Sequence, residues 1–499
     1  MKTREELNEE VKTLFDNVTK PNVFDDDWIF FFKKWQEKTR KYQDLDIEKV
    51  EFEEKKMISD NEDEVLCKKR MGFTPKRVKD GDINWFKVSD LNNVEGLLID
   101  NPDTEEKTTM ELIREQVDKK RTGRSEKLIP IQKGDILVSF KLSVGITKIY
   151  NSDKVAYCNE AIDILTVKEG IYNKYVAYNC MVEYPRYGTI TNNGQTLNDE
   201  DKKNITILIP KSIRTEKKEY SSYEIQKVLV EFLEYQKQIS DDYRKKLDKI
   251  DEDIKEMEEN LIPAIFNQND KYVKEMWVKW NTNPVVPRNP EDMVDFKLED
   301  IEFEDKEIGS FTNSKSGSSE YKKEYYQKEE NKGEYPLMTG SLNIVAYVKP
   351  IKESDVINEE SVSYNKDNDG GSKAFYHTKP YIVGGHHYAL LLKEEYKNKI
   401  MIKYFYYMLK HFFDTHMFYQ SKQPVANIGL IKSKTIKIPK SIKTEKKEYS
   451  SYEVQKAIVS FIDRFYEWKK QIKEKMEILR NMLDDIDEGF LYKTFKGAE

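Results

Sequence analysis

The sequence predicts an α+β protein built as a pseudo-two-fold internal repeat: two mixed α/β domains, each followed by a long helix. Three observations predict this. A 19-residue stretch occurs twice. Each copy runs into a long stripe of apolar residues at helical spacing. Each is preceded by roughly 160–175 residues of mixed strand and helix pattern, a period far too long for a solenoid and suited to a duplicated domain-plus-helix unit.

The repeated stretch reads IPKSIRTEKKEYSSYEIQK from Ile209 to Lys227 and IPKSIKTEKKEYSSYEVQK from Ile438 to Lys456. The copies lie 229 residues apart and differ only at Arg214 against Lys443 and Ile225 against Val454. Ile-Pro ends an extended segment, because the residue before proline is driven out of the helical region. Ser221 with Glu224, and Ser450 with Glu453, have the spacing of a capping box. Ser222 and Ser451 are equally good caps, so the first helical residue stays open by one position.

A helix is predicted after each cap. In the first copy Ile225, Leu229, Phe232, Ile239, Tyr243, Leu247, Ile250, Ile254, Met257 and Leu261 recur mostly at steps of three or four. In the second, Val454, Ile458, Phe461, Phe465, Trp468, Ile472, Met476, Leu479, Leu483, Ile486 and Phe490 do the same. Each helix is expected to run about 38 residues, or roughly 57 Å. Pro263 is expected to limit the first, and Gly489 falls near the end of the second. Helices with so narrow an apolar stripe need a partner, and the two can pair with each other.

These signals divide the chain into a helical extension (1–48), a first mixed domain (49–212), a first helical spacer (213–266), a second mixed domain (267–441) and a second spacer (442–499). The extension holds a short amphipathic helix (Leu7, Val11, Leu14, Phe15, Val18) and an aromatic cluster, DDDWIFFFKKW. It could close the repeated frame, dock a partner or cap the first domain. In the first domain INWFKVSDL (Ile83–Leu91), GDILVSF (Gly134–Phe140) and NITILIP (Asn204–Pro210) read as strands, and Glu169–Tyr184 as a helix. In the second, Glu334–Val348, Lys379–Leu392 and Thr435–Pro439 read as strands and Asn398–His416 as a helix. Ser316–Glu334 reads as a polar loop or linker, and LEDIEFEDKE (Leu298–Glu307) as a solvated charge run. The order is alike in both domains: strands, a helix, a polar loop, then a strand ending in Ile-Pro.

The two polar loops, RYGTITNNGQT (Arg186–Thr196) and YQSKQPVAN (Tyr419–Asn427), occupy matched positions. They are rich in the Arg, Lys, Asn and Gln side chains that reach base edges and phosphates. Against this, the net charge is −7, whereas a protein that binds DNA unaided is usually basic. Either the cations are gathered on one face or partners supply part of the charge.

Other functions lack their motifs. Cys67, Cys158 and Cys180 form no CxxC pair, so neither a disulfide framework nor a cysteine zinc site is expected. The opening MKTREELNEE is no secretory signal and no run of 18 apolar residues occurs, so a cytoplasmic chain with no membrane partner is expected. A P-loop is absent. So are a glycine loop for S-adenosylmethionine and an amino-methyltransferase tetrapeptide. His386 and His387, adjacent on one strand, would face opposite sides, which disfavours a shared metal. No catalytic and no metal site is expected.

Taken together, the motifs resemble the specificity subunits of type I restriction-modification systems. GFTPKR (Gly72–Arg77) followed by INWFKVSDL looks like the opening of a target recognition domain in that family. GDILVSF, VGITK (Val144–Lys148) and CNEA (Cys158–Ala161) continue it. YPLMTGS (Tyr335–Ser341) and GSKAFYHTKPYIV (Gly371–Val383) are similar to a variant with a looser opening. A strand, Ile-Pro, and then a helix with an early glutamine match at Gln226 and Gln455. The resemblance covers about residues 65–495, and its most specific part is the duplicated arrangement.

That resemblance implies two target recognition domains, each reading half of a bipartite double-stranded DNA site. Two long helices would form an antiparallel coiled coil that sets the half-site spacing, as a symmetric frame does on a helical duplex. It implies partners: two methyltransferase (M) subunits and restriction (R) subunits. It implies no cofactor on this chain, with AdoMet, ATP and Mg expected on the partner subunits. The candidate DNA-binding residues are Lys76, Arg77, Lys141, Arg186, Asn192 and Gln195 in the first domain. In the second they are Lys373, His377, Lys422, Gln423 and Asn427. A specificity subunit of a type II (IIB-like) enzyme, and a coiled-coil scaffold without sequence preference, stay open as alternatives.

Overall fold

A computed structural model describes all residues except 1–3, 20–27, 62–63, 73, 75, 77, 79, 120–128, 192–193, 269, 283–292, 342, 367–372, 416–418, 421–422, 425 and 497–499. The repeated stretch folds identically in its two copies. Pro210 and Pro439 end strands Thr206–Pro210 and Thr435–Pro439. A two-stranded ribbon follows, Ile213–Arg214 with Glu219–Tyr220 and Ile442–Lys443 with Glu448–Tyr449. The helix then starts on a reciprocal cap. The Glu224 N–H donates to Ser221 Oγ at 3.2 Å, and the Ser221 N–H donates to the Glu224 carboxylate at 2.8 Å. Ser450 and Glu453 repeat this at 3.3 and 2.8 Å. The caps are therefore Ser221 and Ser450. The neighbouring hydroxyls of Ser222 and Ser451 accept instead from the Nε2 groups of Gln226 and Gln455.

The long helices are Ser222–Asn267 and Ser451–Lys496, 46 residues each. They outrun the expected length because neither predicted stop acts as one. Pro263 lies inside the first helix. A proline there costs one backbone hydrogen bond and a clash with the preceding turn. Leu261, Ile262, Ala264 and Ile265 are all buried around it, and that packing carries the helix onward. Gly489 lies inside the second helix.

The chain divides into two compact units, Met1–Val11 with Leu247–Met476, and Lys12–Lys246 with Glu477–Glu499. Each unit holds one mixed domain and a stretch of both long helices. In the unit with the second domain, Lys473 Nζ meets Asp251 Oδ1 at 2.5 Å and Lys469 pairs with Glu258. Partner numbers rise on one helix as they fall on the other, so the helices run antiparallel there. Leu247, Ile250, Ile254, Met257, Leu261, Trp468, Ile472 and Met476 form the buried seam. In the unit with the first domain, Arg244 reaches Asp484 at 2.7 Å and Asp487 at 2.8 Å.

The N-terminal region contributes two helices, Arg4–Thr19 and Trp28–Thr39. Trp468 Nε1 donates to Asn8 Oδ1 at 2.8 Å, and Glu5 pairs with Lys279. The aromatic cluster packs on the first long helix: the rings of Trp28, Phe32 and Trp35 lie 6.5, 5.3 and 5.7 Å from that of Phe232. In the other unit Trp277 and Trp280 lie 5.4 and 5.2 Å from Phe461, which is the repeat partner of Phe232.

A second internal repeat follows in each copy. DLDIEKVEFEEK (Asp44–Lys55) matches DFKLEDIEFEDK (Asp295–Lys306) at an offset of 251 residues. Asp44 accepts from Thr215 Oγ1 and the Tyr220 hydroxyl, both at 2.8 Å. Asp295 accepts from Thr444 Oγ1 at 3.1 Å, and its N–H donates to the Tyr449 hydroxyl. Strand Phe52–Lys56 pairs with Thr206–Pro210 from Phe52↔Pro210, and Phe303–Glu307 pairs with Thr435–Pro439 from Phe303↔Pro439. The run Leu298–Glu307 is thus a piece of the frame with Leu298 and Ile301 buried, not only a solvated charge run.

The domains carried by these frames differ. The first holds a five-stranded sheet in the order Cys67–Met71, Ile162–Val167, Ile136–Ser139, Thr147–Tyr150, Leu98–Ile99, beside a three-stranded sheet centred on Ile83–Phe86. The second holds two four-stranded sheets, Thr312–Ser316, His387–Leu392, Ser361–Asn365, Ala374–His377 and Ala346–Val348, Lys332–Met338, Tyr381–Val383, Val356–Ile357.

Three local expectations are corrected. The strand at Ile83 ends at Phe86, and Val88–Asn93 is a helix, begun where the Lys87 N–H donates to Asp90 Oδ2 at 2.8 Å. Ser316–Glu334 is no linker: Tyr321 is buried, its hydroxyl donates to Asp355 at 2.7 Å, and short helical and strand segments surround it. His386 sits in a turn at φ 65°, and only His387 begins the strand. Among the described residues no helix is long and apolar enough to cross a membrane.

Candidate nucleic-acid interface

Both polar loops fold into the same object. After helix Asn173–Tyr187 comes a hairpin, Thr189–Thr191 with Gly194–Thr196, then a short helix Asp199–Lys203. After helix Ile402–Thr415 comes a hairpin, Tyr419–Gln420 with Gln423–Pro424, then a short helix Ile428–Lys432. Each hairpin hangs on a helix tied firmly to the frame. The Tyr172 N–H donates to Gln226 Oε1, and the Met401 N–H to Gln455 Oε1, both at 2.9 Å. Tyr175 and Tyr404 donate their hydroxyls to the carbonyls of Leu208 and Lys437, both at 2.6 Å. Lys174–Glu234 and Lys403–Asp463 are matching ion pairs. Buried glutamine, tyrosine and salt-bridge partners at one offset place the two helices alike, although their sequences differ.

The first hairpin gains a third strand, Lys141–Leu142, beside Gly194–Thr196. This small sheet brings together three predicted residues. Lys141 is exposed on it. Gln195 is held in place: its Nε2 donates to the carbonyls of Pro185 at 2.7 Å and Gly188 at 3.2 Å. Arg186, at the helix end, lies 3.4 Å from the buried carboxylate of Glu183 and over the ring of Tyr492. Lys76 is exposed and lies in no strand, with its carbonyl accepting from Oγ1 of Thr108 on strand Lys107–Thr108. Arg77 and Asn192 lie outside the described residues.

Sequence reasoning missed the apolar part of this surface. Ile190 pairs with Gln195, and Gln195 with Leu142, so the three side chains share one face. Ile190 is 90% exposed and Leu142 62%. Leu142 also takes φ 71°, a left-handed conformation costly for a leucine and frequent at functional sites. Gly194, beside Leu142's strand partner Gln195, has φ 106°, a conformation that strains any residue with a side chain, and a Cβ there would press on the Leu142 carbonyl at 3.1 Å. Apolar side chains on a polar hairpin can meet thymine methyls or enter a base step.

In the second domain Asn427 Oδ1 accepts from the Leu430 N–H at 2.8 Å, capping the short helix as Asn198 caps its counterpart. Lys373 is exposed at the start of strand Ala374–His377, its N–H donating to Asn365 Oδ1. The Ala426 N–H, at the hairpin base, donates to the Lys366 carbonyl, so Lys366 and Lys373 both border the hairpin. Sequence reasoning did not single out Lys366. His377 bonds Ser363 Oγ at 2.7 Å and stacks on Tyr381 at 3.7 Å between centroids. Burial, with His387 beside it, pushes the imidazole down to about 4, so it is neutral at pH 7. Lys422 lies outside the described residues, as does the side chain of Gln423.

Residues 300–478 match the type I restriction modification DNA specificity domain family. The matched stretch takes in strand Phe303–Glu307, the two four-stranded sheets, the hairpin and the first part of the second long helix. Among solved structures, the chain is similar over 87% of its length, and 98% of the other, to a chain from work on complex assembly and conformational transition of the type I R-M system, at TM-score 0.56 and 12% identity. It is also similar to the type I restriction-modification S subunit from M. genitalium (15% identity, 90% and 98% covered, TM-score 0.33). A third is the HsdS subunit from Thermoanaerobacter tengcongensis (12% identity, 86% and 97% covered, TM-score 0.43). At these identities the likeness to the first is one of fold. No curated protein matches the chain.

Proposed function

We propose that this chain is the DNA-reading specificity subunit of a type I restriction-modification complex and has no active site of its own. Each mixed domain reads one half of a bipartite duplex site, and the paired long helices set the distance between halves. The observation that carries this is a twice-built frame that presents two dissimilar domains, each ending in a hairpin on the same anchored helix. A symmetric frame suits the symmetry of duplex DNA, while dissimilar readers call for an asymmetric target.

On this reading Lys76, Arg77, Lys141 and Arg186 of the first domain, with Lys366, Lys373 and Lys422 of the second, contact phosphates or bases. Asn192, Gln195 and Gln423 meet base edges, and Ile190 and Leu142 supply apolar contact. Asn427 Oδ1 caps the short helix, which leaves its Nδ2 amide to donate to an acceptor on a base edge. Two methyltransferase subunits dock on the repeated frame and restriction subunits complete the assembly. AdoMet, ATP and Mg belong to those partners. Their basic surface offsets the net charge of −7.

The test is to offer a randomised duplex pool to the purified chain, alone and with its methyltransferase, and sequence what is retained. Enrichment of one bipartite site, only or far better with the partner, is expected. A chain that retains no sequence under either condition refutes the proposal.

A further inference from the structure

The second domain contains a relay of hydrogen bonds whose polarity can be followed atom by atom. His387 is buried, and its Nδ1 lies 2.7 Å from the carbonyl oxygen of Thr339. A carbonyl only accepts, so Nδ1 carries the proton. Burial pushes this imidazole down to about 4, so at pH 7 it holds one proton and Nε2 is bare. Ser363 Oγ lies 2.8 Å from that bare nitrogen and must donate its only proton to it. The same oxygen lies 2.7 Å from His377 Nε2. With its proton already committed, Ser363 can only accept there, so His377 is protonated on Nε2. Its ring is neutral, which leaves Nδ1 as an acceptor.

Three features make that nitrogen useful. Among the described residues strand Ala374–His377 is the edge of its sheet, paired only with Ser361–Asn365. His377 is partly buried, its ring plane fixed by stacking on Tyr381 at an interplanar angle of 10°. Among the described residues no donor meets Nδ1. Exposed Lys373 and Lys379 flank the strand, cations suited to the backbone of a nucleic acid.

We propose that His377 is a specificity-determining residue whose Nδ1 accepts from the exocyclic amino group of a base, adenine N6 or cytosine N4, in the half-site read by this domain. This rests on the DNA-reading function proposed above. In the major groove those two bases present an amino donor, whereas guanine and thymine present keto oxygens at the corresponding position. A fixed acceptor selects the first pair and repels the second. Ser363 and His387 are positioning residues that fix the tautomer without touching DNA.

Two measurements on the full chain test this. With five histidines in all, ¹⁵N-histidine labelling can resolve each ring. At pH 7 His387 should be protonated on Nδ1 and His377 on Nε2, and in Ser363→Ala the His377 ring should become a tautomer mixture. A wild-type His377 protonated on Nδ1, or charged, overturns the inference. The second measurement is retention from the randomised pool by the complex with its methyltransferase. One position of one half-site should favour adenine or cytosine, and which of the two identifies the base. His377→Ala should cut that preference on the order of tenfold or more while other positions hold. His377→Lys, which can only donate, should turn it toward guanine or thymine. An unchanged preference in His377→Ala, in a complex that still enriches a site, overturns the base assignment alone. A wild-type complex that enriches nothing overturns the DNA reading itself, whatever the tautomers.

Discussion

Gln226 and Gln455 join frame to domain. Each is fully buried near the start of a long helix, with its carboxamide oxygen accepting from a backbone N–H 54 residues earlier in the chain. Its Nε2 satisfies the serine hydroxyl four residues back, and Gln455 also reaches the Lys399 carbonyl at 2.9 Å. A buried N–H left without an acceptor bears its full desolvation penalty. Gln226→Leu and Gln455→Leu should each lower stability by about 1–3 kcal/mol in urea denaturation. The two share no partner, so the double variant should add to within a few tenths of a kcal/mol. An unchanged midpoint in either single variant would show that the glutamine is not a tie. At this scale the capping residues were legible in the sequence as a spacing. The choice between Ser221 and Ser222 was not, because it turns on Gln226, which occupies the Ser222 hydroxyl and is itself held by Tyr172, 54 residues earlier. Asn427, whose polarity suggested a reader, is also a cap, through a bond from the Leu430 N–H three residues on.

The long helices show what apolar spacing conveys and what it conceals. Their stripes were readable residue by residue, from Ile225 to Leu261 and from Val454 to Phe490. Their ends were not, since Pro263 carries a local penalty that burial of its neighbours outweighs. The ion pairs Asp251–Lys473 and Glu258–Lys469 tie one helix to the other, so an insertion in one alone would break register. A matched four-residue insertion in both should keep the pairing and add about 6 Å. The DNA spacer should then lengthen by about two base pairs, at 3.4 Å per pair, with both half-sites unchanged. Pool enrichment by the lengthened complex measures this, and an unaltered spacer would end the idea of a helical ruler. The short frame strands were harder to see. In Asp44–Lys55 and Asp295–Lys306 the buried positions Leu45/Phe296, Ile47/Leu298 and Val50/Ile301 stand among acidic residues, and so the pattern passes for a charge run.

For the molecule as a whole, duplication was plain from 19 residues, and the fold class followed from it. The sheets inside the domains were only partly legible, because strands of two to seven residues leave too little alternation to read. The frame defines where one domain can replace the other. Residues 57–205 and 308–434 lie between corresponding strands, Phe52–Lys56 with Thr206–Pro210 and Phe303–Glu307 with Thr435–Pro439. Replacing the first segment by the second should give a protein with two identical readers, and its enriched target should become an inverted repeat of the second half-site. Retention of the original first half-site would place recognition outside these segments.

The clamps that Asp44 and Asp295 make with Thr215 and Thr444 hold unequal lengths of chain, 171 residues in one case and 149 in the other. Closing the longer loop costs little more than closing the shorter, since that entropy grows only with the logarithm of length. Insertions and deletions between the clamps therefore cost the frame little, and on the proposed reading a new address can be written into either segment without rebuilding the frame that carries it.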